Sequence, residues 1–458
     1  MGQLYATGDG TLSAGVFSAY NKFYRRTNSS YDKRTTLINN ADNMRADSVL
    51  CSIEFEKNNW HFISFQYDVK MKDIFGLNNT DFVIRKYNSI NRASGNTSGS
   101  NWENLSDNEV LEAGKGYIIQ VANNTYDENN NYNAAIVCFP SRNTVSKNNL
   151  FTSNNVVVPL EEYPSEFAHN RSWNLIGNPY PSYYDMHYLQ DDFSTPIVLW
   201  RGTSYQAYSP IDDDIILRPN EAFFVQRPIN VSQMVFGVDG RLSYAEVSKL
   251  SVTPGIKSFT SNTKAFADRS VFNFTIEGCD SDDRARIVIN ENASMDYEIS
   301  CDAGKFFAEI SQGAEIYVNG DVKYDICERP YDNGKAVLGT RIAKGGQYTI
   351  TLTGSSIEEW NVLLKDVETG VEVDLAEESY QFDATAGTSQ NRFELTFKPT
   401  VQTSIDNVIS NVGSGDVRIV NTSGIIIYEG TLDNFKANAM PGVYIVIDDE
   451  KAYKIVIK

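Results

Sequence analysis

The sequence predicts an all-β protein of tandem β-sandwiches that ends in a small immunoglobulin-like domain, and three observations carry that prediction. Apolar and β-branched runs recur about every ten residues through most of the chain. Turn signals separate them, among them Asn319-Gly320, Ser423-Gly424 and Pro441-Gly442. One β-unit also occurs twice, and helical periodicity is almost absent.

Composition narrows the function classes. At 458 residues the chain exceeds one ordinary core, so two to four domains are expected. A hydrophobic content of 41% with 26 Tyr and 24 Phe supports folded, water-soluble structure. No apolar run approaches the ~20 residues of a membrane helix, so the chain is not expected to span a membrane. The formal charge of −19 argues against nucleic acid, because phosphate contacts need clustered Lys and Arg. An acidic surface suits solubility, neutral ligands or divalent cations. The five cysteines, at 51, 138, 279, 301 and 327, form no Cys-x-x-Cys pair, which removes zinc-ligand spacing. They read as buried or incidental thiols, or as one disulfide among Cys279, Cys301 and Cys327 in an oxidising compartment. Met1-Gly-Gln-Leu-Tyr5 lacks a basic segment followed by an apolar one. An exported protein needs such a leader, so a trimmed form or the C-terminal part of a longer polypeptide is expected.

Residues 1–48 form a polar segment with weak strand patterning at Gly15-Val-Phe-Ser-Ala-Tyr20, either an edge strand with a loop or the remnant of a preceding domain. Residues 49–245 hold the duplication, in copies of about 49–145 and 146–245. Trp60-His-Phe-Ile-Ser-Phe-Gln-Tyr-Asp68 is similar to Trp173-Asn-Leu-Ile-Gly-Asn-Pro-Tyr-Pro181. Each is followed by a second apolar strand, Leu111-Glu-Ala-Gly-Lys-Gly-Tyr-Ile-Ile-Gln120 or Leu217-Arg-Pro-Asn-Glu-Ala-Phe-Phe-Val-Gln226. Neither copy could bury its apolar face alone, so the two are expected to pack face to face. Gly177 and Pro179 read as a structural corner, or as a ligand-facing loop.

A connector at 246–269 leads to a β-sandwich at 270–398. Its predicted strands are 271–276, 285–289, 315–318, 348–352, 362–365 and 392–397, with hairpin turns at Asn319-Gly320 and Glu368-Thr-Gly370. A short linker at Thr400–Ser404 opens the C-terminal domain, 399–458, whose strands are Gly415–Gly430, Met440–Ile447 and Lys454–Lys458.

Catalytic signals are sparse. The three histidines, His61, His169 and His187, form no His-x-x-x-His pair, and no Gly-x-Ser-x-Gly elbow is present. Ala113-Gly-Lys-Gly-Tyr117 evokes a phosphate loop but precedes a strand, not a helix N-terminus. A glycosidase needs only two facing carboxylates, which composition cannot locate. Two acidic clusters, Asp212-Asp213-Asp214 and Asp280, Asp282 and Asp283, could hold calcium or could be solvated turns. Trp200, Tyr205 and Tyr208, on a hairpin turning at Gly202-Thr203, could stack on sugar rings. Trp102 in a polar loop is the second candidate. Cross-strand packing and loop anchoring are the competing account.

Two resemblances add a direction. Val417-Arg-Ile-Val420, Gly424, Met440-Pro441-Gly442-Val443-Tyr444-Ile445-Val446 and Lys454-Ile-Val-Ile-Lys458 together resemble the C-terminal sorting domain of type IX secretion substrates of Bacteroidetes. Ile447 stands where that family often has a basic residue. Residues 173–182 are similar to the Trp-Asn-Leu-Ile-Gly-Asn-Pro-Tyr-Pro-Ser phrase of Bacteroidetes surface proteins, and 113–117 to its usual companion. The resemblance implies a secreted or outer-membrane surface-attached protein. Gly424, Pro441, Gly442, Tyr444, Lys454 and Lys458 would form the sorting motif, read by the type IX translocon and a sortase. The expected function is a non-enzymatic accessory, adhesive and export region. Binding of glycans or surface polysaccharide, or a β-fold hydrolase or lyase, is the alternative. No cofactor is expected apart from calcium.

Overall fold

The computed structural model describes residues 3–6, 12–23, 34–40, 44–95, 100–122, 134–142, 149–191, 193–250, 269–309, 312–400, 415–421, 425–440, 442–448 and 451–457. The chain is all-β, with a few short helices. Among the described residues no helix is long and apolar enough to cross a membrane.

The duplication is visible in the strand pairing. In the first unit Trp60–Ser64 pairs antiparallel with Gly116–Ala122, which is followed in the sheet by Asp81–Tyr87 and Trp102–Asn104. In the second, Trp173–Gly177 pairs with Ala222–Gln226, followed by Ile197–Trp200 and Tyr205–Tyr208. The register is the same: Ser64 faces Gly116 as Gly177 faces Ala222. Both sheets are apolar on both faces, and the period of two explains where each face goes. Ile63 and Ile119 enter the core of their own unit with Val49, Ile53, Val137 and Phe139. Ile176, Phe223 and Val225 do the same with Val156, Met234 and Phe236. The alternate residues, Phe62 and Ile118 on one sheet and Trp173, Leu175 and Phe224 on the other, meet across the units.

Leu12–Phe23 is the edge strand of the first unit's second sheet, parallel to Met44–Phe55, which continues to Ile136–Arg142 and Phe75–Leu77. Of the two readings of 15–20, the edge strand is the one present, and Met44–Phe55 runs through residue 48. The polar edge strand contributes Phe23, 2% exposed, to the core. The connector begins with the helix Tyr244–Leu250; 251–268 and the linker from 401 lie outside the described residues.

From Arg269 to Pro399 eleven strands form one sheet. Phe272 and Phe397 lie on strands far apart in sheet order, yet their rings are 4.9 Å apart, so the sheet folds back over a shared core. Ser281–Asn290 pairs in parallel with Lys323–Arg329. That second strand, Lys-Tyr-Asp-Ile-Cys-Glu-Arg, escapes a reading by apolar runs because charged residues alternate with apolar ones. Both expected hairpins form, with Asn319 opposite Lys323 and Lys365 opposite Glu372.

The C-terminal unit is a four-stranded antiparallel sheet, Ile426–Thr431, Asp416–Asn421, Gly442–Asp448 and Lys451–Ile457 in spatial order. A helix, Leu432–Asn438, covers it where a second sheet was expected. Leu432 and Phe435, three apart and so on one helix face, pack on Val417, Ile419 and Val446.

Candidate functional site

The hairpin Ile197–Trp200 to Tyr205–Tyr208 forms as expected, with Trp200 opposite Tyr205. Its rings do not stand free for a sugar. Trp200 and Tyr205 are 4.7 Å apart, and the Trp200 indole N–H donates to the Trp60 carbonyl at 2.7 Å. Tyr205 is 8% exposed and packs on Phe62 and Phe306. Trp102 meets Tyr87 at 5.0 Å, Phe224 at 5.9 Å and Phe62 at 6.0 Å. Trp102, Trp200 and Tyr205 thus converge in the inter-unit core, where burying ring area and edge-to-face geometry stabilise the junction. Tyr208 stands apart, accepting from Arg201 Nη1 at 2.8 Å with Arg284 over its ring at 4.8 Å. Of the two accounts, cross-strand packing and loop anchoring describe where these rings lie.

The acidic clusters also have partners. Asp212 takes both Nη groups of Arg269, at 2.5 and 2.9 Å, while Arg269 holds Glu328 with its remaining N–H groups. Asp213 accepts from Arg286 at 2.6 Å, Arg284 at 2.9 Å and the Ser209 amide at 2.7 Å. Burial would push the Asp213 carboxyl up, but Arg284 and Arg286 outweigh it and hold it down at about 2. Asp214 lies 3.6 Å from His187, whose imidazole is also 2.8 Å from Asp185. Asp280 occupies a left-handed turn position with φ 61°, and Asp282 reaches Arg201 at 3.4 Å. Asp283 is buried against Lys305, 2.7 Å away, and accepts from the Ile316 amide at 2.8 Å. A calcium site needs several carboxylates that converge; here successive carboxylates point to different cations, and guanidinium charge stands beside Asp212 and Asp213. Among the described residues no group of three or more His, Cys, Asp or Glu converges as metal ligands. The five cysteines are free thiols, so the disulfide considered among Cys279, Cys301 and Cys327 does not form.

Within the C-terminal unit, Gly442 opens a strand opposite Ile457, and Lys454 pairs with Ile445. Tyr444 donates to the Met440 carbonyl at 2.7 Å and packs on Phe435. Gly424, Pro441 and Lys458 lie outside the described residues.

A cleft of about 270 Å³ opens where the two β-units meet. The first unit supplies Lys86, Tyr87, Glu109 and Lys115, and the second Tyr163, Asn174 and Leu175. The units are joined here by a bridge between Lys115 and Ile176 and by Gly177 N–H donating to Gly114 O at 3.0 Å. Lys86 pairs with Glu109 at 2.7 Å, and Glu109 also accepts from the Ser106 amide and hydroxyl. The Lys86 hydrogen bond, seconded by Ser106, holds the Glu109 carboxyl down at about 2. Across the cleft Lys115 and the Tyr163 hydroxyl both donate to Glu161. Asn174 is locked by two bonds to the Glu161 backbone, at 2.8 and 2.9 Å. Sequence reasoning reached these residues only as parts of the repeated phrases, Lys115, Gly116 and Tyr117 in one copy and Asn174 and Leu175 in the other. The step it did not take is that equivalent phrases in two packed copies meet at a seam, and a seam leaves clefts at its ends.

Comparison with protein-family models, curated proteins and solved structures gave no match to this chain.

Proposed function

We propose that this chain is a non-enzymatic accessory, adhesive and export region of a secreted or cell-surface bacterial protein, whose C-terminal unit directs type IX secretion. The observation that carries the reading is that unit: a separate core of Val417, Ile419, Leu432, Phe435 and Val446 under the strands that bear the sorting-like residues. Ile425, just before its edge strand, and Ile426 and Ile427, which begin that strand, are 62, 50 and 43% exposed and offer apolar surface to a partner. The translocon and sortase are the partners that the resemblance implies. A hydrolase is less favoured at the cleft, because a glycosidase acid needs a raised pKa and both Glu109 and Glu161 are lowered by their hydrogen-bonded lysines.

Removing Ser404–Lys458 tests the proposal. In a type IX-secreting host the truncated protein should stay folded and accumulate in the periplasm. Normal amounts of it at the cell surface would overturn the sorting assignment.

A further inference from the structure

We propose that the cleft between the two β-units binds an uncharged, hydroxyl-rich ligand, a single ring of a neutral glycan. Its volume of about 270 Å³ falls just under the ~300–1,000 Å³ of drug-sized sites, which suits one sugar ring better than an extended chain. The charged residues that line it are Lys86, Lys115, Glu109 and Glu112, two of each sign; Lys86 is paired with Glu109, and Lys115 with Glu161 next to the lining residue Tyr163. A sugar hydroxyl both donates and accepts, so a vicinal pair can donate to a carboxylate and accept from the neighbouring ammonium without parting the two charges. An anion would face Glu109 and Glu112, and a cation would face Lys86 and Lys115. A neutral polyol meets no such opposition. Leu105, Val110 and Leu175 also line the cleft and supply apolar contact for the C–H face of a ring.

The polar groups are held in place before any ligand arrives. Ser106 fixes Glu109 through two hydrogen bonds, Tyr163 and Lys115 fix Glu161, and the Glu161 backbone fixes Asn174. Preorganised groups lose little freedom on binding, which favours affinity. The lowered pKa values of Glu109 and Glu161, held down by their hydrogen bonds to Lys86 and Lys115, keep both carboxylates ionised as acceptors into the acidic range. This site is distinct from Trp200 and Trp102, whose rings are engaged in packing.

Isothermal titration of the intact chain with neutral trimers (maltotriose, cellotriose, mannotriose and chitotriose), alongside trigalacturonate and a glucosamine trimer, tests the inference. At least one neutral trimer should bind saturably, the charged trimers should bind more weakly or not at all, and Glu109→Gln should lower affinity about tenfold or more. Glu109 is half-buried and Gln matches its shape, so the variant should stay folded, which its melting temperature checks, and Lys86→Met gives a second reading from the other side of the pair. The inference is overturned if no neutral trimer binds, if only charged trimers bind, or if both variants bind as the wild type does. It stands apart from the export reading: sugar binding can fail with secretion intact, and secretion can fail with binding intact.

Discussion

At the scale of single residues, the seam between the two units leaves no space at its small positions. A Cβ built on Gly177 would lie 2.0 Å from both side-chain atoms of Ser64, and one on Gly116 would lie 2.6 Å from Leu175 Cγ. These residues are small because the sheets touch there, which decides the reading of Gly177 in favour of a structural corner. Gly177→Val should cost about 1–3 kcal/mol through overpacking and lower the melting temperature accordingly. Ser64→Gly in the same chain should recover part of that loss, a coupling that independent sites would not show. Asp213 is the other sensitive residue. Asp213→Asn would take from Arg286, 1% exposed, the closer of its two carboxylates and leave it only Asp212 at 3.5 Å, a loss of up to about 3 kcal/mol in denaturant unfolding. The sign of its pH dependence follows from the lowered pKa. The carboxyl titrates at about 2 in the folded chain against an ordinary 3.8, so its contribution is present above 3.8 and fades as pH falls toward 2. The stability difference between wild type and variant should shrink over that window.

At the scale of elements, the segment around Phe306 docks the eleven-stranded sheet onto the duplicated units. The Phe306 ring stacks on Phe224 at 4.7 Å, meets Trp173 edge-on at 4.7 Å and lies beneath the Arg92 guanidinium at 3.8 Å. Truncation to Ala should cost about 3–5 kcal/mol. Amide hydrogen exchange should rise in Trp173–Gly177 and Ala222–Gln226 while the Arg269–Gly278 pairing with Ser281–Asn290 keeps its protection. Equal loss of protection everywhere would mean that Phe306 supports the fold as a whole and not this junction. Strands such as Ala222–Gln226 were legible in sequence because a continuous apolar run signals burial on both faces. Lys323–Arg329 was legible only as the run that follows the Asn319-Gly320 turn, because its buried charged residues find partners that lie elsewhere in the chain. Asp325 faces Lys305, and Glu328 faces Arg269.

At the scale of the whole molecule, the second unit and the eleven-stranded sheet share a buried charge network. Lys305 lies 2.7 Å from Asp283 and 3.3 Å from Asp325, and its ammonium donates to the Tyr205 carbonyl of the second unit at 3.0 Å. Asp325 in turn accepts from the Ala207 amide at 2.9 Å. One Asp283 oxygen is buried without a hydrogen-bond partner, and Glu315 adds further negative charge nearby. Burial pushes the Asp283 carboxyl up to about 7, against the pull of Lys305 and with the push of Asp325. Burial raises Asp325 as well, so the Asp283–Asp325 pair around Lys305 keeps a proton in the folded chain that the unfolded chain has lost, and this contribution falls as pH rises above the ordinary carboxylate range toward 7. Asp283→Asn should remove that slope: denaturation midpoints of wild type relative to variant should decline between pH 4.5 and 7, then level off. A constant difference across that range would place the proton elsewhere.

The sequence by itself determined the all-β class, the period-two strands, the main hairpin turns and the duplication, because these depend on residues near one another in the chain. Only the tertiary structure decided what those residues do. In sequence, Trp102 and Trp200 look the same whether a ring faces a sugar or another ring, and the Asp212–Asp214 run looks the same whether it awaits calcium or guanidinium. The deciding partners, Phe224 for Trp102 and Arg286 for Asp213, lie far along the chain. Burial and charge compensation depend on where those distant groups are brought together, and that is a property of the packed molecule.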